Sequence, residues 1–189
     1  MSDTVYCYPP DYLVLKNKPG LKDASALDRF ERRSAVQRQS EGVPEGNFDL
    51  RHLRAVHRHL FQDVYDWAGA LRTVEIAKGG NQFQFRRFIE TGMADVHRRL
   101  VAGNDLENLT PDAFSERAAE IIGDVNYVHP FREGNGRTQA LYLEQLVRNA
   151  GHSFDLRRIT KDRGLAASKA AHAGRYDPLG DCIEEAITV

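Results

Sequence analysis

Little in this chain of 189 residues is extreme, and each thing it lacks closes off a class of protein. It has two cysteines, Cys7 and Cys182, near opposite ends. They make neither a disulfide framework nor the close spacing of a metal-binding pair. Lys and Arg number 26 against 27 Asp and Glu, a net charge of −1. A non-specific nucleic-acid coat needs a strongly basic surface, so no direct nucleic-acid binding is expected. The arginine doublets at 32–33, 86–87, 98–99 and 157–158 are scattered and read as solvated helix faces. No window approaches the apolar length of a membrane span. The opening MSDTVYCYPP has neither a basic n-region nor an apolar h-region. The expectation is a soluble, cytoplasmic protein with no membrane contact. Repeats and low-complexity tracts are also missing.

What is present suffices for one domain with a real core, 41% of the residues being hydrophobic. Residues 1–22 are irregular, with Pro9, Pro10 and the turn pair Pro19-Gly20. The charged stretch ASALDRFERRSAVQRQS reads as a helix with a weak stripe of Leu27, Phe30 and Val36, and EGVPEGN (41–47) breaks it. An internal boundary is placed there, giving an N-terminal arm, partly helical, over 1–48 and a main domain over 49–189.

From Asp49, a plausible N-cap, Leu50, Leu53, Val56, Leu60, Phe61 and Val64 recur at helical spacing. His52, His57 and His59 lie within it without the pattern of a metal cluster, and they read as structural or surface residues. In LRTVEIAKGGNQFQF, Val74 and Ile76 alternate with polar neighbours, Lys78-Gly79-Gly80-Asn81 supplies a turn, and Phe83 and Phe85 alternate again. This is a short β-hairpin. A lone hairpin is marginal, so it is either pinned to a helical body or held as a flap whose edge captures an extended partner segment. Thr110-Pro111-Asp112 starts a helix with Phe114, Ala118, Ile121, Ile122 and Val125 on one face. Another carries Leu143, Leu146, Val147 and Ala150 and stops at Gly151. One or two helices close the chain, with Ala166 to Ala173, Ile183 and Ile187 as core positions. The fold class is all-α with one β-hairpin.

Between the last two of these motifs stands HPFREGNGRTQA, residues 129–140. A helix is expected to start near Gly136 or Arg137, aiming unpaired N–H groups and a positive dipole end into the loop. Glycines allow close approach of phosphate, and Arg137 adds a charged fork. Glu133 is repulsive there unless a divalent cation stands between it and the phosphates. His129 supplies a group able to take a proton from an attacking hydroxyl. Together these suit nucleotidyl or phosphoryl transfer. The same residues would equally serve a capped helix–helix turn around a buried histidine.

His129-Pro130-Phe131-Arg132-Glu133-Gly134-Asn135-Gly136-Arg137 resembles the signature of the Fic domain family, HxFx[DE]GNGRxxR. FQDVYDWAGALRTVEIAKGG (61–80) is similar to the segment leading into that family's flap, and the likeness covers about residues 50–186. It implies a helical bundle with a hairpin flap and transfer of AMP from ATP to a hydroxyl of a target protein. His129 would be the general base, and Phe131 would anchor the loop in the core. Glu133 would hold Mg²⁺. Arg132, Glu133, Gly134, Asn135, Gly136, Arg137 and Thr138 would form the nucleotide site. Lys78, Gly79, Gly80, Asn81, Gln82 and Phe83 would form the flap that registers the target. The family's second arginine falls at Ala140, where it would grip the terminal phosphate. No [ST]xxxE[GN] inhibitory motif is present, which implies a toxin paired with a separate small antitoxin carrying the inhibitory glutamate. Stand-alone relatives of this size are known to modify DNA gyrase and topoisomerase IV, others act on small GTPases, and nothing in the sequence distinguishes these targets. Another nucleotide donor, a Doc-like kinase and a non-catalytic peptide-binding scaffold are the alternatives.

Overall fold

The helices begin where the sequence offers caps. The computed structural model describes residues 3–188. Its helices are α1 (Ala24–Ser40), α2 (Leu50–Phe61), α3 (Ile89–Ala102), α4 (Pro111–Val128), α5 (Asn135–Asn149), α6 (Lys161–His172) and α7 (Asp177–Ala186). Asp23 and Asp49 cap α1 and α2, each accepting at 2.7 Å from the N–H three residues on. Thr110 and Thr160 do the same for α4 and α6, and Gly151 follows α5 at φ +89°. The helix α3, with its stripe of Ile89, Met93, Val96 and Leu100, is not among the elements expected from the sequence, although its spacing is helical.

The helix α4 is central and packs against α3, α5, α6 and α7. Phe114, Ala118, Val125, Tyr142, Leu146 and Ile183 are essentially inaccessible in this core. Each large apolar side chain buried there contributes roughly 1.5–3 kcal/mol. A second cluster joins α1 to α2 and to the loop after α2 through Leu27, Ala35, Val56, Leu60, Phe61, Val64 and Tyr65, with Leu141 of α5. The buried face of α1 is Leu27, Glu31 and Ala35, whereas the expected Val36 is 67% exposed. A carboxylate thus takes a position that the apolar stripe alone assigns to a hydrophobe.

The hairpin is shorter than the alternation suggests. The strands β1 (Ala77–Lys78) and β2 (Asn81–Gln82) pair around Gly79-Gly80, both at positive φ. A second two-stranded sheet, unexpected from the sequence, pairs β3 (Ser153–Phe154) with β4 (Ile187–Thr188). Ile187 is buried as expected, but in an extended conformation, because the β-branched end of the chain leaves the helix after Ala186.

One side chain ties the hairpin to the helical body. The Arg72 side chain is wholly buried, and its Nε donates to the His129 carbonyl at 2.9 Å. Its other nitrogens reach the carbonyls of Val74, Gln84 and Val128 and the Glu75 carboxylate, and its backbone N–H takes the Pro130 carbonyl. Three consecutive carbonyls at the end of α4, those of Val128, His129 and Pro130, which no helical turn satisfies, therefore end on one residue. Burial pulls the Arg72 pKa below its ordinary value, and the Glu75 carboxylate opposes that shift. Arg72→Ala takes the donor from several backbone carbonyls at about 1–3 kcal/mol for each left buried and unpaired, so it is expected to cost about 3–5 kcal/mol in all. That corresponds to a fall in Tm of roughly 10 °C by calorimetry.

Candidate active site

The loop from His129 to Gly134 is fixed from behind. Phe131 is 1% exposed and stacks on the His57 imidazole at 3.9 Å between centroids. The Asn135 amide bonds both the N–H and the carbonyl of Phe131, at 3.0 and 2.8 Å. His57 Nδ1 accepts from Gly69 N–H at 2.8 Å, so its proton is on Nε2, which donates to the Glu133 carbonyl at 3.0 Å. Burial holds the His57 pKa down to about 4, keeping it neutral. His52 and His59 likewise bond backbone carbonyls, those of Pro44 and Arg38.

The helix α5 starts at Asn135, one residue before the expected range, because Gly134 at φ +82° is its cap. A Cβ on Gly134 would lie 2.6 Å from Phe61 Cζ, so a side chain is excluded on space as well as conformation. The first intrahelical bond is Thr138 N–H to the Gly134 carbonyl, leaving the N–H groups of 135–137 without helical acceptors. Gly136 is exposed, with nothing within 4 Å of the place a Cβ would take. A helix end of this kind is suited to holding an anion.

The expected site residues divide by position. Glu133 is exposed, and its Oε1 accepts from Gly134 N–H at 3.0 Å. Glu133 and Arg137 share the wall of a cavity of about 560 Å³ with Leu13, Leu27, Glu31 and Tyr65. Arg137 pairs with Glu31 and lies 4.7 Å above the Phe61 ring. Arg132 instead turns to Asp3, at 2.6 Å. Asn135 and Thr138 are buried, and their side chains bond the loop itself. Lys78, Gly79, Gly80, Asn81 and Gln82 are exposed on the hairpin, whereas Phe83 is 8% exposed. Its ring stacks on His129 at 3.7 Å. Arg72, His57, Glu31 and Tyr65 organise this site, and no local pattern in the sequence gives them a part in it. Only their partners, far away along the chain, reveal them.

His129 caps α4 in the left-handed region at φ 47°, a conformation costing roughly 1–2 kcal/mol for a non-glycine residue. Its Nδ1 bonds the Asn126 carbonyl at 3.1 Å and so carries the proton, leaving the Nε2 lone pair bare. Among the described residues no group of three His, Cys, Asp or Glu side chains could hold a metal ion. Glu133 offers a single carboxylate beside an anion site, a donor set that fits a cation arriving with phosphates.

A bundle presenting a neutral histidine, an exposed carboxylate and a helix-end anion site within nine residues defines a phosphate-transfer scaffold. The Fic/DOC family model matches residues 47–147, and the chain belongs to that family. It is 38% identical over 174 residues to the "Probable protein adenylyltransferase y4lH" of Sinorhizobium fredii, covering 92% of this chain and 90% of that protein. It is 36% identical to the protein adenylyltransferase VbhT of Bartonella schoenbuchensis over 95% of this chain, which spans 38% of that longer protein. The crystal structure of BepC from Bartonella tribocorum with bound AMPPNP superposes with a TM-score of 0.87 at 28% identity. It covers 97% of this chain and 96% of that one.

Burial, with Arg72, Lys78 and His172 adding repulsion, lowers the His129 pKa to about 4. A depressed histidine pKa favours folding above the unfolded value of about 6.5, and this contribution is lost as pH falls from there towards 4. An NMR titration is expected to place His129 near 4, and Phe83→Ala, which uncovers the ring, to move it up towards 6.5.

Proposed function

We propose that this chain is a protein adenylyltransferase, transferring AMP from ATP to a hydroxyl side chain of a target protein. The observation that carries the reading is the His129 tautomer. A bare Nε2 stands in the same loop as an anion site, in a chain whose relatives are named for this activity. The target oxygen forms a bond to the α-phosphorus as the bond to the β-phosphate oxygen breaks. The hydroxyl proton passes to His129 Nε2, and pyrophosphate leaves. The N–H groups at the start of α5 and the Arg137 guanidinium bind phosphate oxygens and stabilise the charge that develops on them. Glu133 would hold Mg²⁺, which neutralises phosphate charge when bound. The exposed hairpin edge offers backbone groups for strand addition by the target.

Ala140 favours a second reading, in which the same loop takes a diphosphate donor other than ATP. Without an arginine there, the terminal phosphate loses a charge-assisted bond worth about 1.5–3 kcal/mol, or roughly 10–200-fold in affinity. Regulation by a separate antitoxin and action on DNA gyrase or topoisomerase IV belong to this proposal, as does a cytoplasmic place of action. Among the described residues no helix is long and apolar enough to cross a membrane.

Wild-type protein supplied with α- or γ-labelled ATP in bacterial lysate is expected to label a protein band from the α-position only, and His129→Ala to label none. Label from the γ-position alone would establish a kinase instead. In calorimetric titrations Ala140→Arg is expected to tighten ATP binding at least tenfold, and unchanged affinity would remove the argument from Ala140.

A further inference from the structure

Among the described residues Glu31 is the only buried carboxylate, 6% exposed on α1 and outside the stretch matched by the family model. Both of its oxygens are engaged. Oε2 accepts from the Tyr65 hydroxyl, and Oε1 accepts from Nη2 of Arg137. Tyr65 is itself 2% exposed and stacked on Trp67 at 4.2 Å, so the hydroxyl end of this clamp is immobile. Burial and the Glu31 charge raise the Tyr65 pKa, so the hydroxyl stays protonated and donating. Arg137 is thus held at one nitrogen by Glu31 and on one face by Phe61. A guanidinium carries five N–H donors. The Arg137 side chain, 36% exposed, lines the cavity that Glu133 also lines.

We infer that Glu31 is a positioning residue: clamped by Tyr65, it orients the Arg137 guanidinium so that its free edge meets the phosphates of the donor. The inference rests on the nucleotide-transfer reading. Two observations separate orientation from competition between Glu31 and phosphate. Were Arg137 to leave, a buried carboxylate would keep one hydroxyl for a partner, an arrangement that burial penalises. Arg137 is also the loop's remaining guanidinium, since Arg132 is paired with Asp3 and position 140 is alanine. A pre-set geometry matters most where a single fork grips the phosphate chain.

The test is a double-mutant cycle read by calorimetric titration with AMP-PNP and by steady-state kinetics. Glu31→Gln keeps an acceptor of the same shape and is expected to bind within about threefold of wild type. Glu31→Ala is expected to weaken binding about tenfold and to raise KM for ATP more than it lowers kcat. Tyr65→Phe, a milder change for which folding is less at stake, should move both in the same direction by less. In an Arg137→Ala background Glu31→Ala should have no further effect. An equal loss in that background would make Glu31 merely structural, and tighter binding by any Glu31 variant would make it a competitor. Either outcome overturns the inference. A readout free of nucleotide accompanies these: the Arg137 Nε–H resonance should be ordered in wild type and Glu31→Gln and mobile in Glu31→Ala. Equal order in all three overturns the clamp. Wild-type protein that binds no nucleotide would instead count against the transfer reading, with the resonance comparison still deciding the clamp.

Discussion

A buried guanidinium at the end of α4 holds the hairpin and the histidine loop in one frame. Arg72 collects carbonyls from the helix end and from both sides of the hairpin, and its charge sits where the helix dipole is negative. Lysine could supply the charge but not the planar fan of donors that reaches three segments at once. The hairpin strands are two residues each, too short to stand alone. Gln84 N–H bonds the Tyr127 carbonyl, and Phe83 lies on His129, so the base of the hairpin belongs to the helical body while its tip stays exposed.

Around that frame the loop is rigid on its inner side and open on its outer one. Asn135 bonds the backbone of Phe131, and His57 bonds the backbones of Glu133 and Gly69. Gly134 allows Phe61 to close up beneath. What is left pointing outward is Glu133, the N–H groups at the start of α5, and Arg137. A site whose groups are fixed before a ligand arrives loses little entropy in binding it.

Much of the fold was legible because helical stripes and caps are local signals. Asp49, Thr110 and Gly151 punctuate α2, α4 and α5 where the sequence suggests. The all-α architecture with a hairpin follows from such signals together with the loop motif. The stripe of α3, between the hairpin and Thr110, is an equally local signal. The pairings that shape the site had no such signal. Glu31 and Arg137 are 106 residues apart, Arg72 and His129 are 57 apart, and His57 and Glu133 are 76 apart. A charged residue on a charged helix reads as solvated until the partner that buries it is known. Glu31 occupies a turn of α1 where spacing alone expects only hydrophobes to face inward.

The stretch common to the family begins at residue 47, yet α1 lies over α2 and covers Val56, Leu60, Val64 and Leu141. A chain trimmed to that stretch would therefore present a bare aliphatic stripe along α2 and α5, continuous with the Phe61 and Tyr65 rings. Such a surface is adhesive. Residues of α1 and of the segment around Leu13 thus cover that stripe and also form a wall of the cavity.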